Sequence, residues 1–151
     1  MNLSILYHKE EKEVTKLFHI IIQINKTKVD ALCNSRSQEN LIEIDLINNF
    51  GLDIYDNTNH YPLGWVNKDL ELRVTKHCNI KFSIMTGYID GVEVNIIPLV
   101  ISGVVFGSSY LYERDVIFIR KENQCFLIKD GKYFIINTHK GKLRISLVSA
   151  N

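Results

Sequence analysis

Short apolar runs that alternate with polar positions dominate the sequence. Residues 70–74, 80–84 and 92–96 show this alternation, whereas 17–24 and 104–107 are almost continuously apolar. An alternation of period two, rich in β-branched residues, is typical of strands that bury one face. The pattern predicts strands at 17–24, 29–32, 70–74, 80–84, 92–96, 104–107, 116–119, 125–128 and 133–136.

Turn residues separate these runs. Tight hairpin turns are predicted at 25–28, near Asp90-Gly91 and at 129–132. The polar stretch 55–60 is predicted as a loop, and residues 61–69, which contain a proline and a glycine, as a loop or hairpin. Many strands joined by such turns favour a small β-barrel or sandwich.

Two segments have helical features. Apolar residues follow a helical spacing over 44–50, and Gly51 is placed to end that helix. Residues 108–114 predict a second short helix, capped by Ser108 or Ser109. The fold class is therefore all-β, a small β-barrel or sandwich with one or two short helices.

Length and charge narrow the function classes. The chain has 151 residues, 46% hydrophobic and 23% charged, which fits one globular domain. The net charge of +1 gives no reason to expect nucleic-acid binding, and we interpret the basic cluster at 139–144 as a solvated tail. We expect a charged leader at 1–16, a domain at 17–139 and a tail at 140–151.

Three cysteines without a CxxC motif favour a reducing compartment over a disulfide framework or a zinc site. The N-terminus lacks the apolar region of a signal peptide, and the longest apolar run, 96–106, is too short and interrupted to span a bilayer. These features predict a soluble, intracellular protein without membrane contact. We predict no metal and no cofactor, since the adjacent pair His77-Cys78 does not match zinc spacing.

Other single residues have ordinary explanations. Cys33 could be a nucleophile only with a histidine base in reach, and no motif links any histidine to it. We therefore expect a buried structural thiol. Asp30 and Asp45 are expected to be solvated carboxylates. Trp65, the only tryptophan, either covers a ligand from a hairpin tip or packs as a core or rim aromatic.

Four segments, taken in order, resemble one protein family. They are VDALCNSRSQENLI, YPLGWVNKDLELRVTK, GVVFGSSYLY and IKDGKYFII. The order and spacing of these segments resemble the retropepsin-like aspartic protease domain of plant gypsy-type LTR-retrotransposon polyproteins. The resemblance spans about residues 17–139 and implies a small, mostly antiparallel β-barrel.

The resemblance also assigns roles to residues. Asn34, Ser35 and Arg36 occupy the positions of the family's catalytic Asp-Ser/Thr-Gly triplet. A substrate-covering flap would include Gly64, Trp65 and Val66, and an apolar-apolar-glycine segment, Val105, Phe106 and Gly107, would support the catalytic loop. Because the chain has one triplet, a complete site would need a homodimer.

The chemistry of the triplet predicts an inactive site. Aspartic proteases use two neighbouring carboxylates that share one proton, so that one acts as base and the other as acid. An amide at Asn34 has no proton to share, and Arg36 brings bulk and charge where glycine allows close approach. We expect retained dimerisation or binding of an extended peptide. Two alternatives stay open: an active endopeptidase that uses another acid or an Asp-bearing partner subunit, and a non-catalytic structural domain.

Overall fold

The structure is a computed structural model that describes residues 17–67, 70–99 and 102–140, with the side chains of 64–67 and 70 outside the description. The predicted leader and most of the predicted tail lie outside these ranges, so both domain boundaries stay predictions. The strands are β1 (Phe18–Ile24), β2 (Thr27–Cys33), β3 (Leu41–Glu43), β4 (Tyr55–Asn67), β5 (Leu70–Met85), β6 (Tyr88–Ile97), β7 (Val104–Phe106), β8 (Ile117–Ile119), β9 (Gln124–Lys129) and β10 (Lys132–Asn137). The helices are α1 (Ile44–Phe50) and α2 (Ser108–Glu113).

Six strands form a closed barrel in the order β1-β2-β7-β3-β6-β5. The pairing of Gln23 with Ser83 joins β5 back to β1, and β4 lies on the outer edge of β5. Strands β8, β9 and β10 form a separate antiparallel sheet. Reciprocal backbone hydrogen bonds between His19 and His139, at 3.1 and 2.9 Å, attach the chain beyond β10 to β1. The all-β barrel prediction is confirmed.

The barrel interior is filled by one face of each long strand, as β1 illustrates. Every second residue of β1, from Phe18 to Ile24, is buried inside the barrel. A smaller apolar cluster lies at the end of β2 and consists of Leu32, Leu41, Val74, Ile97 and Val105. The turn between β1 and β2 is built on positive φ angles at Asn25 (48°) and Lys26 (67°), as a two-residue hairpin requires.

Gly51 ends α1 as predicted, with φ 60° and its N–H bonded to the carbonyl of Asn48. The predicted capping of α2 by Ser108 or Ser109 is wrong, because Gly107 holds the N-cap position and no side chain caps the helix. Backbone carbonyls of another loop accept the N–H groups of both serines instead. Neither helix in the described ranges is long and apolar enough to cross a membrane.

Three further local predictions are wrong. The turn predicted near Asp90-Gly91 lies four residues earlier, where Gly87 has φ 88°, and Asp90 is a buried residue within β6. The polar stretch 55–60 belongs to β4 rather than to a loop. Residues 70–74 and 80–84 belong to one long strand, β5. Its first part pairs with β4 and its second part with β6, so the strand continues through the polar residues between the two predicted segments.

Candidate functional site

The predicted triplet lies directly after β2, beside β7. Strands β2 and β7 are parallel, and Cys33 is in register with Phe106. The backbone N–H of Asn34 continues this pairing by donating to the Phe106 carbonyl at 3.0 Å. We call residues 34–40 the triplet loop. The sheet therefore fixes the first triplet residue against the apolar-apolar-glycine segment.

A tight turn holds the Asn34 side chain. Its Oδ1 accepts the N–H of Arg36 at 3.0 Å, and its carbonyl accepts the N–H of Ser37 at 3.1 Å. Because Oδ1 is used in this way, the Nδ2 group remains as a donor at the loop surface. Asn34 is half-buried, whereas Ser35 and Arg36 are exposed.

Gly107 allows the triplet loop and β7 to approach closely. A Cβ atom at this position would lie 2.4 Å from the Glu39 carbonyl oxygen and 2.6 Å from that of Ser37. The first N–H of α2, at Ser108, donates to the Ser37 carbonyl at 2.6 Å. The start of α2 thus provides donors for loop carbonyls in a space that only glycine leaves open.

The two residues before Gly107 are buried on opposite faces of β7. Phe106 stacks on Tyr110, with ring centroids 4.6 Å apart, and contacts Phe82 at 5.2 Å. Val105 belongs to the small apolar cluster that includes Leu32, two residues before the triplet. Both side chains therefore anchor the strand that the triplet loop contacts.

The flap hairpin, defined here as residues 61–67 and 70–74, is formed by β4 and the first part of β5. Gly64 pairs with Leu72 and Trp65 with Glu71, and the ladder is irregular around Val66. The side chains of Trp65 and Val66, and the surroundings of Gly64, lie outside the description. The prediction that Trp65 covers a ligand therefore stays a prediction.

Asp30 is not the solvated carboxylate that the sequence predicted. Its Oδ2 lies 2.8 Å from Nδ1 of His19, and its Oδ1 lies 3.0 Å from Nε2 of His139. The two histidines come from the opening strand and the chain after β10, which are distant in sequence. Asp45 is exposed in the first turn of α1, as predicted.

The cysteines are free and buried. Burial, with smaller contributions from Cys125 and Asp30, raises the pKa of the Cys33 thiol well above its usual value. Burial also raises the pKa of Cys78 to about 11 and that of Cys125 to about 12. The prediction of a buried structural thiol at Cys33 is confirmed. Across the described ranges, no three His, Cys, Asp or Glu side chains are grouped so that they could hold a metal ion.

Two buried asparagines, one in the triplet loop and one on β6, were not predicted from the sequence. Asn40 accepts the Gly107 N–H on its Oδ1 at 2.9 Å, and its carbonyl accepts the N–H of Asn95 at 2.8 Å. The Asn95 side chain in turn contacts β4. Alternation in β6 favours Val94 as the inward residue, so no sequence signal marked Asn95 as buried.

The fold has a counterpart among solved structures. The crystal structure of the retroviral protease-like domain of Ddi1 from Leishmania major matches with a TM-score of 0.58. The match covers 82% of this chain and 94% of that chain, at 14% sequence identity. No protein-family model matches the sequence, and no curated protein matches it significantly. The fold is therefore retropepsin-like.

Proposed function

We propose that this chain is a catalytically inactive retropepsin-like domain of a plant gypsy-type retroelement polyprotein that keeps a groove for extended peptides. The position of Asn34 carries the proposal. It directly follows the strand that pairs with β7, its amide oxygen accepts the Arg36 N–H, and the sequence resemblance assigns this position to the family's acid. The retroelement origin is supported by the four sequence segments that resemble that group.

The chemistry at Asn34 supports inactivity. Peptide hydrolysis by this family needs a base that activates water and an acid that donates to the carbonyl oxygen. An amide supplies neither, because its oxygen is only an acceptor and its nitrogen only a donor. Such a site can still hydrogen-bond a peptide backbone.

We further propose that the domain is a homodimer in a reducing, cytoplasmic compartment. One chain contributes one triplet loop and one flap hairpin, so a two-fold axis beside Ser35 would complete a groove. The three free, buried cysteines agree with a reducing compartment. Sedimentation equilibrium tests the dimer directly, and a monomer at high protein concentration would count against it.

Two other functions receive less support. An active endopeptidase would need a replacement acid, but Asp30 is engaged by His19 and His139. A purely structural domain would need a collapsed groove. The close contact of Gly107 with the triplet loop instead supports a retained site, because the resemblance assigns this segment to the support of the catalytic loop.

Ligand binding separates a peptide-binding domain from a structural one. A ligand that binds only the folded state at 100 times its Kd stabilises that state by about 2.7 kcal/mol, which raises Tm by several degrees. We expect pepstatin, or a pool of extended apolar octapeptides, to raise Tm in this way. No shift with either probe would favour the structural domain.

A further inference from the structure

The flap hairpin begins at an interruption in the ladder between β4 and β5. Asp56 pairs with Lys76, and the next pair joins Tyr61 to Val74. Four residues of β4, 57–60, therefore stand opposite one residue of β5. Backbone pairing cannot fix the angle of the hairpin across such a gap, because a bulged strand bends at the extra residues.

Side-chain hydrogen bonds bridge this gap instead. His77 Nδ1 lies 2.6 Å from Asn57 Oδ1, and Asn57 Nδ2 donates to Asn95 Oδ1 at 3.2 Å. Asn95 Nδ2 then donates to the hydroxyl oxygen of Tyr61 at 3.1 Å. Asn57, the first residue of the gap, and Tyr61, the residue after it, therefore both bind Asn95, which is only 6% exposed.

Asn95 also contacts the triplet loop. Its backbone N–H donates to the Asn40 carbonyl at 2.8 Å, and Asn40 Oδ1 accepts the Gly107 N–H. The Tyr61 ring packs on the small apolar cluster that contains Leu32 and Val105. A continuous set of hydrogen bonds thus joins the flap hairpin to the triplet loop.

We propose that Asn95 is the positioning residue that sets the height of the flap hairpin above the triplet loop. Residues 57–60 are the hinge about which the hairpin opens to admit a peptide, and the bonds from Asn95 to Asn57 and Tyr61 hold it closed. The ligand part of this inference rests on the proposed peptide groove. The hinge part concerns the free protein alone.

Hydrogen exchange of the free protein tests the hinge. The variants are Asn95→Ala, which removes both bonds to β4, and Tyr61→Phe, which removes one and keeps the ring in its apolar cluster. We expect amides in 61–67 and 70–74 to exchange about five-fold faster in Tyr61→Phe, the equivalent of about 1 kcal/mol for one hydrogen bond, and faster still in Asn95→Ala. Amides in 124–137 should keep their rates, since β9 and β10 belong to the other sheet.

The matched control is Asn79→Ala, an exposed amide on β5 outside this set of bonds. Its exchange should equal that of the parent protein. The positioning role is overturned if residues 61–67 and 70–74 exchange at the parent rate in both variants, or if residues 124–137 accelerate equally, since equal acceleration indicates global destabilisation alone.

A second measurement concerns the ligand. Pepstatin should dissociate about five-fold faster from Tyr61→Phe than from the parent, at an unchanged rate from Asn79→Ala. Equal dissociation rates from Tyr61→Phe and the parent overturn the proposed role of the Asn95–Tyr61 hydrogen bond in ligand retention. If the parent does not bind pepstatin, the proposed function loses support, while hydrogen exchange still decides the hinge.

Discussion

Arg114 and Asp90 form a bidentate ion pair that joins the end of α2 to β6. Arg114 Nε lies 2.7 Å from Asp90 Oδ2, and Nη2 lies 3.1 Å from Oδ1. The hydroxyl groups of Tyr88 and Tyr110 also donate to Oδ2, at 3.1 and 2.8 Å. The network fixes the helix whose first turn binds the triplet loop. The foundation of the candidate site is therefore partly polar and buried.

Arg114→Met should destabilise the domain by about 3 kcal/mol. The substitution leaves the Asp90 carboxylate, 6% exposed, without its cation, and an uncompensated buried charge is costly. Urea denaturation measures the effect. Lys121→Met, which removes an exposed cation from the turn between β8 and β9, is the control and should change stability by less than about 0.5 kcal/mol. A similarly small effect at Arg114 would show that the pair contributes little.

Stability should also fall in acid because of Asp90. Burial favours a higher pKa for this carboxyl, but hydrogen bonds from Arg114, Tyr110 and the Gly91 N–H, with the Arg114 charge, bring the pKa below its usual value. A group whose pKa is lower in the folded state stabilises it above the unfolded-state pKa, about 3.9, and loses that contribution as pH falls through the folded-state value.

We therefore expect the free energy of unfolding to decrease as pH is lowered from about 5 to 3, with a shallower decrease in Asp90→Asn. Urea denaturation at each pH provides the two slopes. Identical slopes in the two proteins would mean that Asp90 titrates alike in the folded and unfolded states.

Gly107→Ala should disrupt the packing under the triplet loop. Its Cβ would lie 2.4 Å from a backbone oxygen that cannot move independently of the loop, so we expect a loss of about 2–3 kcal/mol. Gly91→Ala is the matched control, since its Cβ would lie 3.5 Å from the nearest atom, the Ile80 carbonyl oxygen. Thermal unfolding of the two variants should differ by several degrees. Equal stabilities would indicate that the loop can shift without cost.

The thiols should be unreactive in the folded protein. Burial raises the pKa values of the three cysteines, and the thiolate is the reactive form. We expect negligible labelling by a disulfide reagent at pH 8 under native conditions and three thiols labelled after unfolding in urea. Rapid native labelling of Cys33 would reopen its assignment as a nucleophile.

Local patterns predicted the parts of the fold that depend on local physics. The apolar run of β1, the helical spacing of α1 with Gly51, and the turn around Gly131 need only residues close in sequence. The turn was wrongly predicted at Asp90-Gly91 because an Asp-Gly dipeptide is a common turn signal. Here the Asp90 carboxylate instead binds a cation that is distant in sequence. Arg114, 24 positions away, provides that cation.

In the candidate site, too, the features that depend on neighbouring residues could be predicted and those that depend on distant residues could not. The triplet positions and the apolar-apolar-glycine segment could be proposed from the sequence because each is a short contiguous motif, and the structure places the two segments side by side. The environment of Asp30 was not found, because His19 approaches it across the β1–β2 hairpin and His139 approaches it only where the chain after β10 bonds to β1. Asn40 and Asn95 likewise become neighbours only through the parallel pairing of β3 with β6.

The central claim is that a retropepsin-like site is disabled at Asn34 and Arg36. Peptide cleavage at mildly acidic pH by the double variant Asn34→Asp, Arg36→Gly tests it most directly, with the parent and each single variant as controls. We predict that only the double variant cleaves and that pepstatin stops it, because the shared-proton pair needs both the acid and the room that glycine gives. Cleavage by the parent protein would contradict the claim.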